Sequence, residues 1–155
     1  MPAAGKSALP PFTEAELKEM TKKAKEIIPE RAAYYAPLVG VDYGRITIRH
    51  QRTRWGSCSA KGNLNFNCLL VLTPPEVLDS VVVHELCHRK YMNHSAAFHT
   101  LLDEVFPAYK SARKWLIAHE AELIGRLPAP QKKRKKTVRR TKLPGWFRLL
   151  AGGEP

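Results

Sequence analysis

Leu17, Met20, Ala24, Ile27 and Ile28 recur at the three- and four-residue spacing of an amphipathic helix. Thr13 and Glu16 stand at the two ends of a capping box, so the helix is predicted to begin just after Thr13. Pro29 is expected to interrupt it or to open a second helix reaching about Leu38. Arg45-Ile46-Thr47-Ile48-Arg49 alternates polar and apolar, as a half-buried strand does. A second strand is predicted from Asn65 to Leu72, with Lys61-Gly62-Asn63 turning into it. The apolar run Val77–Val83 follows Pro74-Pro75-Glu76, a plausible helix start. Ser95 can cap a further helix carrying Phe98, Leu101, Leu102 and Phe106, which Pro107 ends. A last helix runs from about Tyr109 to Ile124, with Trp115, Leu116 and Leu123 facing inward, and Gly125 stops it. Helices, a small antiparallel sheet and then three helices define an α+β domain.

A chain of 155 residues has room for one such domain and its own core, here expected over 13–125. A flexible segment 1–12 precedes it, and a tail, 126–155, follows. Charge changes the picture of the tail. Of the 26 Lys and Arg and 14 Asp and Glu residues, ten bases and one acid (Glu154) lie from Arg126 onward, leaving 16 and 13 upstream. The net charge of +12 therefore belongs mainly to the tail and not to the domain. Lys132, Lys133, Arg134, Lys135, Lys136, Arg139 and Arg140 form a run expected to contact polyanions, whether nucleic acid or an anionic membrane. The apolar cluster from Leu143 to Leu150 follows it. No run of eighteen apolar residues predicts a membrane span, and residues 1–6 lack the apolar stretch of a secretory signal. Cys58, Cys68 and Cys87 form no C-x-x-C pair, which fits a reduced, cytoplasmic protein.

The candidate chemistry lies in His84-Glu85-Leu86-Cys87-His88 and in His94 beyond it. Histidines four apart differ by about 40° around a helix, so their rings can share a metal ion. Glu85 places a carboxylate where a general base would work. A further six residues of helix would carry His94 about 240° away, so the helix must stop before it. Asn93 tolerates the left-handed conformation that closes many helices. Three imidazoles would then hold one Zn2+ and leave the fourth position open for water. His99 or Glu104 is the alternative third ligand.

Several motifs together carry a family resemblance: Arg54-Trp55-Gly56-Ser57-Cys58, Pro74–Asp79, His84–His88 and Asn93-His94-Ser95. In order and spacing, from about residue 14 to 120, they resemble the YgjP-like metallopeptidase domain, a relative of the SprT-like proteases and more distantly of other zincins. The resemblance implies a compact zincin-like fold, with the active-site helix beside a small sheet, and zinc-dependent peptide-bond hydrolysis. It implies His84, His88 and His94 as ligands and Glu85 as the catalytic acid/base. One departure is His99, where the family usually has an aromatic residue after Phe98.

Tyr91, His99 and Tyr109 are candidates for a second electrophile, with core packing the competing role of both tyrosines. The strand from Asn63 to Asn67 is a candidate edge for pairing with an extended peptide substrate. Trp55-Gly56-Ser57-Cys58 reads as a turn anchored by a buried tryptophan, or as a cleft wall. Cys87 reads as a buried residue more than as a ligand, and His50 and His119 as lying away from the metal. Arg49, Arg52 and Arg54 read as a solvated strand end or as contacts for a carboxylate or phosphate. Competing functions are a SprT-like protease associated with nucleic acid, a non-catalytic nucleic-acid-binding protein, and a non-proteolytic zinc hydrolase.

Overall fold

The computed structural model describes residues 9–128, so the basic run Lys132–Arg140 and the cluster Leu143–Leu150 lie outside the described residues. The α+β class is as expected: α1 (Glu14–Val39), β1 (Ile46–Arg49), β2 (Gly56–Cys58), β3 (Leu64–Asn67), a 3-10 turn (Cys68–Leu72), α2 (Pro75–Cys87), α3 (Ala96–Val105) and α4 (Tyr109–Gly125). The Thr13 capping box forms as predicted, with Thr13 N–H donating to Glu16 Oε1 at 2.9 Å and Glu16 N–H to Thr13 Oγ1 at 3.0 Å.

Neither proline divides α1, which runs unbroken through Pro29 and Pro37. Ala24, Ile28, Ala32, Ala36 and Val39 keep one buried stripe across Pro29. Packing of that stripe against α2 and the 3-10 turn outweighs the backbone bond each proline forfeits. Gly40 ends the helix in the left-handed conformation at φ 87°. Asp79 fastens α2 to α1: Arg31 donates to its two oxygens at 2.9 and 3.0 Å, and Tyr35 Oη donates at 3.2 Å.

The sheet is mixed where an antiparallel one was expected. Its order is β1-β3-β2, with β1 parallel and β2 antiparallel to β3. The segment read as a turn around Trp55 supplies the third strand, Gly56 lying opposite Phe66 and Cys58 opposite Leu64. The predicted strand 65–72 ends at Asn67, whose side-chain oxygen accepts from Leu69 N–H and starts the 3-10 turn. β3 is thereby the middle strand, and the segment 63–67 cannot offer a free edge to a substrate.

The ends of the domain are tied together. Phe12 N–H donates to the Arg126 carbonyl at 2.8 Å, Arg126 Nε donates to the Pro10 carbonyl, and the Arg126 guanidinium stacks over the Phe12 ring. Phe12 and Leu127, expected in the flexible segment and the tail, thus belong to the core. No helix among the described residues is long and apolar enough to cross a membrane.

Candidate metal centre

α2 is buried on nearly every side, and its last turn delivers His84, Glu85 and His88 to one place. The helix ends at Cys87, and His88 keeps right-handed helical angles (φ −68°, ψ −13°), so its ring retains the one-turn relation to His84. The stop differs in mechanism from the expectation. Amides of His88, Arg89 and Lys90 donate to carbonyls three residues back, tightening the final turn. Asn93 is not left-handed, since no residue other than glycine has positive φ among those described. His94 then returns towards α2 just before Ser95, which caps α3 by accepting from Phe98 N–H.

The three imidazoles form a nearly even triangle, with ring centroids 5.0, 5.3 and 4.7 Å apart for the pairs 84–88, 84–94 and 88–94. One nitrogen from each lies within 4.8 Å of the others. Fully buried Phe98 forms the floor, its ring 4.6 to 5.1 Å from each imidazole. His88 Nδ1 donates to the Tyr91 carbonyl at 3.0 Å, which leaves Nε2 as its free lone pair. His84 Nδ1 and Tyr109 Oη share a 3.1 Å hydrogen bond. The Nε2 atoms of His84 and His94 are buried with no hydrogen-bond partner. Such orphaned lone pairs, with the opposite nitrogens of His84 and His88 already held, fit a cation ligated by nitrogen.

Burial holds His84 and His88 below the ordinary histidine value, and neighbouring histidines lower His84 further. His94 falls to about 4, from burial first and then from His88 and His99. All three are therefore neutral near pH 7, the form that binds a metal. Glu85 moves the other way. Burial pushes its carboxyl up to about 8, against a downward pull from Arg54, and neither carboxylate oxygen has a hydrogen-bond partner.

Gly56 makes room for that carboxylate. A Cβ there would stand 3.1 Å from Glu85 Cγ, 3.2 Å from its Oε2 and 3.1 Å from the Asn65 carbonyl. The approach to Gly56 is held rigidly. Trp55 is fully buried with its Nε1–H donating to Glu120, and the Asn67 amide donates to the carbonyls of Gln51 and Arg54.

Other residues singled out in the sequence fall elsewhere. The Tyr91 side chain is exposed and only its carbonyl reaches the triad, whereas Tyr109 is buried and touches His84 through its hydroxyl. His99 lies beside His94 with ring centroids 6.4 Å apart but outside the metal-compatible group, as do exposed Glu104 and buried Cys87. Cys58 flanks the site as a thiol raised to about 11 by burial and by Glu85. His50 bonds Thr21 and His119 stacks on Trp115, both away from the triad. Arg49 bonds Asn65 and Arg52 bonds the Leu127 and Pro128 carbonyls. Phe98 and Gly56 were legible only as a core residue and a permissive one, because their roles depend on what lies opposite them in space.

The fold is similar to the crystal structure of the metallopeptidase zymogen of Pyrococcus abyssi abylysin, with a TM-score of 0.55 at 19% identity, over 59% of this chain and 93% of that one. No curated protein sequence matches the chain. Residues 5–119 match the sequence profile of the YgjP-like metallopeptidase domain. With that match spanning most of its length, the chain belongs to the YgjP-like metallopeptidase family.

Proposed function

We propose that this metallopeptidase uses zinc, one ion per chain held by His84, His88 and His94, and that Glu85 is its general acid/base. The carrying observation is the convergence of three neutral imidazoles, two with buried unpartnered Nε2 atoms, beside a buried carboxylate that also lacks a partner. Zinc, when bound, supplies Lewis-acid chemistry, polarising a carbonyl and lowering the pKa of water towards about 7. Tyr109 Oη and the Tyr91 carbonyl hold the rings of His84 and His88 in a single orientation. Glu85 takes a proton from the attacking water and gives it to the leaving amine, and burial raises its proton affinity towards the range this double task requires. Gly56 lets β2 pass close beside the carboxylate. Among the described residues β2 is an edge strand, unlike the covered β3, and would be the strand for an extended peptide to pair with through backbone hydrogen bonds.

Digestion of an unfolded protein should stop on chelation and return with added zinc. Cleavage that persists in chelator would remove the metal from this reading. The ten bases against one acid from Arg126 onward favour a separate contact with nucleic acid. Deleting 129–155 should abolish salt-sensitive DNA binding without changing peptide hydrolysis, and binding that survives the deletion would assign it elsewhere.

A further inference from the structure

We infer that Arg113 recognises a carboxylate on the substrate, making the site selective for peptides that carry one close to the scissile bond. The inference rests on the peptidase reading above. Tyr109, Ala112 and Leu116 form the buried face of α4, and Arg113 stands on that face one turn beyond Tyr109. A buried arginine nitrogen ordinarily has an acid or another acceptor to pair with. Arg113 forms no such pair: the ion pairs among the described residues are Arg31–Asp79 and Arg89–Asp42. Its Nε is buried and has no hydrogen-bond partner. Tyr109, one turn earlier on the same face of α4, hydrogen-bonds the His84 ring at 3.1 Å, so this face meets the triad.

A cation on an inward face, near the triad and lacking an acid, leaves a donor unsatisfied unless a ligand supplies the partner. Nε is one of the guanidinium nitrogens that a carboxylate can grip in a two-point pair, so an anionic planar group suits this donor better than a neutral carbonyl. Arg113 as a whole residue is only partly buried. A peptide's free C-terminus offers this group, and so does an acidic side chain next to the cleaved bond.

The test uses three short peptides of one sequence: with a free C-terminus, amidated, and amidated with glutamate beside the scissile bond. The zinc-loaded protein should cleave the free-terminus peptide about ten- to a hundredfold better in kcat/KM than the neutral amidated one, the difference lying in KM. The glutamate peptide shows whether a side chain serves as well as the terminus. Arg113→Gln should bring all three peptides level, and Arg113→Lys should restore part of the ranking, with zinc content and circular dichroism checking the fold of each. Binding of the same peptides to zinc-loaded Glu85→Gln protein should give the same order without turnover. Failure to cleave any peptide would count against the peptidase reading, while the binding order still decides the role of Arg113. Equal binding of all three peptides, or a ranking that survives Arg113→Gln, would overturn it.

Discussion

Glu85 and the three histidines share one buried pocket, and burial acts on them in opposite senses because it penalises whichever form is charged. The consequence for metal-free protein has a definite sign. Glu85 titrates at about 8 when folded against an ordinary 4.5, so between those values the folded state binds more protons and stability falls as pH rises. The histidines are lowered from 6.5, His94 to about 4, so stability also falls as pH drops through that window. Chelated protein should therefore be most stable near pH 6.5. Glu85→Gln should flatten the decline between 6.5 and 8, which has a slope of up to about 1.4 kcal/mol per pH unit. Thermal unfolding in chelator across this range checks it, and a decline left intact in the variant would contradict it. Gly56→Ala tests the cradle. Its Cβ would force Glu85 to shift by a few tenths of an ångström, so hydrolysis should drop about tenfold or more while zinc content stays unchanged. At this scale the sequence was legible where chemistry depends on local spacing, as for His84, Glu85 and His88. It was opaque where a partner comes from a distant element. Tyr109 is 25 residues from the ring it holds, and Gly56 is named by a glutamate on another element.

Among the elements, simple local propensity was overridden more than once, for different reasons. The apolar stripe on α1 carries the helix through Pro29, which a local reading treats as a break, and on through Pro37. Cys68–Leu72 contains the β-branched and apolar residues of a strand, yet Asn67 bonds Leu69 N–H and turns the chain into a 3-10 helix. Long helices and their caps were readable because both signals are contiguous in sequence. Strand pairing was not, since β1 and β3 pair in parallel around an intervening strand. The orientation of α2, and with it the site, depends on Asp79, which ties it to Arg31 and Tyr35 of α1. Asp79→Ala should destabilise the fold by about 1–3 kcal/mol, readable as a lower urea midpoint at unchanged slope. An unaltered midpoint would show that packing alone sets the helix angle.

Across the whole molecule, a compact core places one chemical centre on the last turn of a buried helix. α1, α3 and α4 pack round that helix, and β2 passes its glutamate. The chain closes on itself where Phe12 meets Arg126, so the domain extends a few residues past the limits that composition suggests. On the proposed reading, the same helix turn carries two separate functions: histidines for holding a cation and a glutamate for moving a proton. Glu85→Gln preserves shape and removes only the second. Zinc content and hydrolysis of an unfolded protein, measured on the same preparations of parent and variant, address that separation most directly. The account predicts about one zinc per chain in both and cleavage in the parent alone. Cleavage by the variant at the parent's rate, or a parent that cleaves without zinc, would contradict it.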